Sequence, residues 1–354
     1  MIAELDKNMK VENSIGRDDV VWLNIKDIPV DVYGLYDYKN GDKFKRMDEA
    51  VAEKVSEGVR ALNYNTAGGR VRFSTDSPYI AIRTVQPPTP VLHNLSAMGQ
   101  RGFDLYYDGQ LKSVCCGAYL PPVDNTKGYE SIVTVKDGEM RSYTIVFPPY
   151  AVVNELYIGV RAGSTVSNGK KYENDKPIVY YGSSITQGGC ASRAGNTYQQ
   201  MISARYNLDY VNLGFSGSAK GEQTMADYIA DMDMSIFVCD YDYNAPSIEH
   251  LQNTHKPLYE TFRKKQPNTP IIFISMPNFW YDSETQNKRR DIVYSTYQYA
   301  RNIGDRNVYF LNGGQMFPQN NRYICTTDGY HPNDIGFYGM AKSIGAVIQE
   351  ILQK

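Results

Sequence analysis

Pro177-Ile178-Val179-Tyr180-Tyr181-Gly182-Ser183-Ser184-Ile185-Thr186-Gln187-Gly188-Gly189 is a short apolar run that leads straight into a serine-bearing turn. Residues 178–181 are β-branched or aromatic and suit a strand, Gly182 breaks the extended run, and helical periodicity sets in over 197–206. A serine between a strand and a helix lies against the unpaired N–H groups of the helix start, where a developing oxyanion can be stabilised. The alternative reading of Ser184 is an ordinary helix-capping serine, and the residues further along the chain bear on the choice.

Beyond 177 the chain alternates strand and helix. Apolar runs at 178–181, 210–215, 234–240, 271–276 and 308–311 are separated by helical segments near 197–206, 222–231, 248–265 and 283–302. In the last segment Met340, Ile344, Val347, Ile348 and Ile351 share one helical face. This alternation predicts an α/β domain with a parallel sheet covered on both sides and ligands beyond the carboxyl ends of its strands. Before it, from Val20 to about Gly163, short extended runs such as 70–74, 79–85, 102–107 and 142–147 are divided by turn signals that include Asp108-Gly109 and Thr75-Asp76-Ser77-Pro78. That pattern predicts an antiparallel β-sandwich, with 48–57 as its one expected helix. The polar stretch 164–176 has neither period and reads as a linker. The expected organisation is a β-sandwich domain over 1–163, a linker over 164–176 and an α/β domain over 177–354.

Composition narrows the partners. With 354 residues, 37 Lys and Arg against 39 Asp and Glu, and no long basic run, the chain has no phosphate-tracking stripe, so nucleic acid is not an expected partner. No stretch approaches the ~20 apolar residues that span a bilayer, and residues 1–20 lack the apolar core of a secretory signal, so a cytoplasmic location is expected unless a signal peptide was removed beforehand. Five cysteines are too few for a disulfide scaffold, and Cys115 and Cys116 read as reduced packing residues. Tyrosine occurs 30 times against 12 phenylalanines, and rings that carry hydroxyls suit polar ligands such as sugars.

Asp328-Gly329-Tyr330-His331-Pro332-Asn333 precedes the last helix as a loop, so the carboxylate and the imidazole can fold together. Of the four histidines, His93 falls in the sandwich, and His250 and His255 fall on a helix expected to be solvated, which leaves His331 as the candidate general base. A serine hydroxyl needs such a base, and the base needs a carboxylate to hold its tautomer. Ser216-Gly217-Ser218 follows one strand, and Asp240-Tyr241-Asp242-Tyr243-Asn244 follows the next. Gly217 could bring a backbone N–H, and Asn244 a side-chain amide, to a reacting oxygen; turn and cap roles are the alternatives for both. Asp240 and Asp242 do not fix a metal-ligand set, and no metal or other cofactor is expected. Trp280 and Tyr281 are candidates for a substrate-facing wall or for packing on their own domain, and Arg193 either faces substrate or forms a salt bridge.

Taken in order, these blocks resemble the SGNH (GDSL-type) hydrolases. Gly182-Ser183-Ser184-Ile185 is similar to the family's Gly-Asp-Ser-Leu, and Gly102-Phe103-Asp104-Leu105-Tyr106 resembles the Gly-x-Asp-Leu-Tyr motif of a branch with an N-terminal sandwich domain. Ser183 stands where the family has aspartate, and the third block differs from Gly-x-Asn-Asp. The resemblance implies a flavodoxin-like hydrolase domain behind a jelly-roll-like sandwich. It implies catalytic Ser184, Asp328 and His331, with the oxyanion held by Ser184 N–H, Gly217 and Asn244. The expected activity is serine esterase on small acyl groups, acetyl first, with a carbohydrate or other small-molecule ester as substrate. A longer-chain lipase or thioesterase, and a carbohydrate-binding protein with an inactive hydrolase domain, are the alternatives. Oligomeric state is left open.

Overall fold

A computed structural model describes residues 11, 14–122, 127–136, 138–277 and 283–354. Its first half holds two antiparallel sheets. One has the order β1 (Val20–Asn24), β9 (Glu155–Arg161), β4 (Tyr79–Val85), β7 (Tyr129–Thr134). The other has the order β10 (Val166–Asn168), β3 (Arg70–Thr75), β8 (Arg141–Val146), β5 (Phe103–Asp108), β6 (Ser113–Tyr119), with β2 (Asp31–Tyr33) also paired to β3. Val71, Phe73, Ile80, Ile82, Leu105 and Ile145 meet between the sheets as a buried apolar core. Such burial on the inner faces is what makes period-2 segments settle as a sandwich.

Two expectations for this half need correction. The stretch 164–176 is not simply a linker, because Val166 and its neighbours pair with Thr75–Phe73 as strand β10. Backbone hydrogen bonding to β3 asks for no apolar side chains, so hydropathy gave no sign of it. The single helix expected at 48–57 is two, α1 (Glu49–Val55) and α2 (Glu57–Leu62). Asp48 caps the first, and extended Ser56 both ends it and caps the second through its Oγ. A third short helix, α3 (Ala97–Arg101), is capped by Ser96.

The second half is a five-stranded parallel sheet in the order β12 (Tyr210–Gly214), β11 (Ile178–Gly182), β13 (Ile236–Asp240), β14 (Ile271–Ile274), β15 (Val308–Leu311). This is the flavodoxin-like order, whose reversal point lies where β11 separates β12 from β13. The sheet is buried on both faces. Val179 and Tyr181 point to one side with α6 (Gln223–Asp231), α7 (Ile248–Lys265) and α8 (Ser283–Asn302); Ile178 and Tyr180 point to the other with α5 (Tyr198–Tyr206) and α9 (Asp334–Leu352). His255, expected to be solvated, is fully buried instead. It shares the inward stripe of α7 with Leu251, Leu258, Tyr259 and Phe262, its Nδ1 is 2.9 Å from Thr296 Oγ1, and its ring stacks on Tyr241.

The halves are joined by more than the chain. Met47, Ala52 and Val59 from the α1–α2 region belong to the same apolar cluster as the sheet residues of the second half. The buried Arg46 guanidinium donates to the carbonyls of Asn212 at 3.0 Å, Gly214 at 2.6 Å and Leu62 at 2.7 Å and lies over the Phe215 ring. Arg70 donates to Asp209 and to the Tyr210 carbonyl, and Arg72 to Asn207.

Candidate active site

Parallel register places three strand ends side by side. Gly182 is opposite Gly214 on one flank and Asp240 on the other, so Ser183-Ser184, Phe215-Ser216-Gly217 and the segment 241–244 all leave the sheet at one edge, at the reversal point. Close packing requires Gly182 itself, since a Cβ there would lie 2.5 Å from the Asp240 carbonyl oxygen. Ser184 opens the short helix α4 (Ser184–Gln187), so its N–H is among the donors that helix geometry leaves unpaired. Ser183, the departure from the family pattern, caps that helix with its Oγ 3.1 Å from Ile185 N.

Ser184 Oγ is 2.9 Å from His331 Nε2, and His331 Nδ1 is 2.8 Å from Asp328 Oδ2. Burial pushes the Asp328 carboxyl up, but the His331 backbone N–H, the Asn94 amide and the His331 ring outweigh it and bring the group down to about 2. An ionised carboxylate only accepts, so His331 Nδ1 is the donor to Asp328, and in the neutral ring Nε2 is then the nitrogen that accepts from the serine hydroxyl. The Oδ1 of Asp328 accepts from the backbone N–H groups of Tyr330 and His331 at 3.0 and 2.8 Å.

Gly217 and Asn244 are tied together through Phe215. The Asn244 amide donates to the Phe215 carbonyl at 2.9 Å, while Gly217 turns the chain with φ +65°, and a Cβ on it would meet open space. One N–H of the Asn244 amide is thereby anchored, and the group carries a second. Asp240 and Asp242 have structural partners: Tyr198 Oη donates to Asp240 and Met276 N to Asp242. Burial pushes the Asp240 carboxyl well up and that of Asp242 to about 6.

Arg193 does not reach toward Ser184. It pairs with the fully buried Asp104 at 3.1 Å and donates toward Tyr106 Oη at 3.4 Å, while Asp104 also accepts from Gly195 N and Tyr106 Oη donates to the Gly195 carbonyl. The Gly-x-Asp-Leu-Tyr stretch is therefore a clasp on the 193–195 loop of the other half. The expectation that Arg193 contacts substrate gives way to this ion pair, because a buried carboxylate demands a cation. Trp280 and Tyr281 lie outside the described residues.

Two residues beside the dyad carry no sequence signal of a role. Tyr150 Oη donates to the Ser184 carbonyl at 3.3 Å, and Asn94 Nδ2 donates to Asp328 Oδ2 at 2.8 Å. Proline clustering at 87–90 marks a loop near Asn94, but nothing in it points to a partner so distant in the chain. Tyr150 and Ser216 also line a cavity of about 330 Å³ whose other walls come from the first half, including Leu62, Pro90, Leu92 and Gln100. Among the described residues, Cys190, Asp328 and His331 bring ligand atoms within 4.8 Å of one another. They fit a metal poorly, since Asp328 and the His331 Nδ1 already serve each other and burial pushes the Cys190 thiol up to about 12. Among the described residues no helix is long and apolar enough to cross a membrane.

Family models match both halves: the GDSL-like lipase/acylhydrolase family over residues 175–349, and the GxDLY N-terminus of SGNH-type esterases over 20–166. The chain belongs to the GDSL-like (SGNH) hydrolase family. Its ester hydrolase class and its architecture, a parallel-sheet domain behind antiparallel sheets, are those of the family. A GDSL-like lipase structure from Bacteroides ovatus ATCC 8483 is 28% identical and superposes with a TM-score of 0.85, covering 94% of this chain and 98% of that one. The salicylyl-acyltransferase SsfX3 of a tetracycline biosynthetic pathway is 18% identical with a TM-score of 0.75, covering 93% and 96%. The acetyl xylan esterase Est2A of the rumen bacterium Butyrivibrio proteoclasticus is 13% identical with a TM-score of 0.58, covering 94% and 99%. At these identities the last two show a shared fold. Comparison with curated protein sequences gives no match.

Proposed function

We propose that this GDSL-type hydrolase is a serine esterase that removes small acyl groups, acetyl first, from carbohydrates. The observation that carries the reading is the Ser184–His331–Asp328 chain of hydrogen bonds, 2.9 and 2.8 Å long. In this reading Ser184 Oγ attacks the ester carbonyl carbon as His331 Nε2 takes its proton, and Asp328 holds the resulting imidazolium. The oxyanion faces Ser184 N–H, Gly217 N–H and the second Asn244 N–H. His331 then gives its proton to the departing sugar oxygen, which leaves an acyl-Ser184. Water, deprotonated by His331, attacks that acyl group, and the acid departs as Ser184 recovers its proton.

The substrate class rests on the cavity and on the company the fold keeps. At about 330 Å³ the cleft lined by Tyr150, whose hydroxyl reaches the Ser184 carbonyl, and by Ser216 is at the small end for ligand pockets. Structures described as family two carbohydrate esterases share the fold at 11–15% identity, and Est2A is named for acetyl xylan. The test is hydrolysis of p-nitrophenyl esters of rising chain length by wild type and Ser184→Ala, followed by acetate release from acetylated xylo- and cello-oligosaccharides. The reading expects acetate to be the fastest ester and the substitution to abolish turnover. A rate that climbs with chain length would instead indicate a lipase or thioesterase. Glycan binding without any deacylation would indicate an inactive hydrolase domain.

A further inference from the structure

We infer that Asn94, carried by the sandwich half of the chain, is a positioning residue for the Asp328–His331 pair, an inference that rests on the serine-esterase reading above. The carboxylate of Asp328 has two oxygens with different duties. Oδ1 is fixed by its own loop, through the N–H groups of Tyr330 and His331. Oδ2 alone faces the imidazole, and it is held from outside the loop by Asn94 Nδ2 at 2.8 Å. With one donor on each side of Oδ2, the carboxylate cannot pivot about Oδ1 away from the imidazole. The amide must present its nitrogen there, since its oxygen would face an ionised carboxylate.

Asn94 is itself pinned. The Cys190 thiol donates to its backbone carbonyl at 3.2 Å, and two residues on Ser96 Oγ donates to the Ser192 carbonyl at 2.8 Å. The 94–96 segment is thus sewn at two points to the loop that follows the nucleophile. The contacts run from Cys190 through Asn94, Asp328 and His331 to Ser184, which helix α4 and the turn after it connect back to Cys190. A ring of this kind fixes the dyad against the nucleophile with pieces from both halves of the chain.

An amide that donates to Oδ2 also competes with the imidazole for its charge, which gives a signature that mere loop support lacks. Without that donor the imidazolium is favoured, so the acid limb of kcat/KM moves to higher pH. An aspartate in its place adds a second negative charge and moves the limb further. Among the described residues the titratable side chains that act on Asp328 include His331 and the Cys190 thiol, and burial keeps the thiol protonated across the working range.

The experiment compares p-nitrophenyl acetate hydrolysis across pH for wild type, Asn94→Leu, Asn94→Asp, Asp328→Asn and the Asn94→Leu/Asp328→Asn double variant, with thermal midpoints to verify folding. Asn94→Leu should lower kcat about tenfold with KM unchanged, a loss usual for a residue that orients an active group. The acid limb should rise in Asn94→Leu and rise more in Asn94→Asp, by about one pH unit. In the Asp328→Asn background Asn94→Leu should cost nothing further, because its partner is gone. Wild-type rate and pH profile in both Asn94 variants, or an equal loss from Asn94→Leu in both backgrounds, would overturn the inference while leaving the esterase reading in place. Full turnover by Ser184→Ala would instead overturn the esterase reading, and this inference with it.

Discussion

Arg193 and Asp104 stand 3.1 Å apart across the junction of the two halves, the carboxylate fully buried and the guanidinium partly open to solvent. Arg193→Ala leaves a buried carboxylate without its cation, which typically costs about 3–5 kcal/mol. Urea unfolding should show that loss, while the KM for p-nitrophenyl acetate stays at the wild-type value. Intact stability with a raised KM would return Arg193 to the substrate site.

Asn244 is anchored to the Phe215 carbonyl by one N–H, and in the proposed mechanism its other N–H faces the oxyanion. Asn244→Ala should lower kcat roughly 10²-fold with little change in KM, the usual cost of one oxyanion donor. An unaltered kcat for p-nitrophenyl acetate would exclude this residue from the hole.

Leu92 borders the cleft of about 330 Å³ from an exposed position, so a larger side chain there should fold normally. In the proposed reading, with the oligosaccharide lying along this cleft, Leu92→Trp narrows its space while leaving room for a small aryl acetate at Ser184. The expected result is a KM for acetylated oligosaccharides raised roughly tenfold, about 1.4 kcal/mol of binding, with p-nitrophenyl acetate unaffected. Equal effects on both substrates would place the sugar elsewhere.

His255 is buried and neutral, with burial pulling its pKa from 6.5 down to about 3. Between those values the unfolded chain binds a proton that the folded chain refuses, so this group makes stability fall as pH drops from 6.5 toward 3, with a limiting slope of about 1.4 kcal/mol per pH unit. Asp240 and Asp242, whose carboxyls burial pushes up, act with the opposite sign: the folded state keeps protons that the unfolded state loses, so they favour stability at lower pH. The difference between wild type and His255→Phe isolates the histidine. Urea midpoints at pH 7 and pH 4.5 should diverge less in the variant, and parallel losses in both proteins would refute the assignment.

Much of the parallel-sheet half was legible in the sequence because its signals are local. Fully buried strands such as 178–181 are continuous apolar runs, and the α9 stripe of Met340, Ile344, Ile348 and Ile351 is plain at helical spacing. Ser184, His331 and Asp328 were legible for a similar reason, since each lies in a short motif at an element boundary. What escaped was long-range or backbone-borne. Strand β10 is held by main-chain pairing in a polar stretch, and Asn94 and Tyr150 gain their places from contacts made far along the chain. His255 was misplaced because its polarity outweighed its position on the Leu251, Leu258 and Phe262 stripe. For Arg193 the sequence left substrate contact and a salt bridge both open, because the partner that decides it, Asp104, lies in the other half.

The shared apolar cluster around Met47, Ala52 and Val59, together with the Arg46 guanidinium set into the carbonyls of β12, makes the junction of the two halves a buried core in its own right. Leu62, Pro90 and Leu92 on one bank of the cleft and Ser216 on the other are therefore carried by elements packed together through that core. Parting the halves would expose this shared core to water, so a proteolytic nick within 169–176 should sever the chain without separating them.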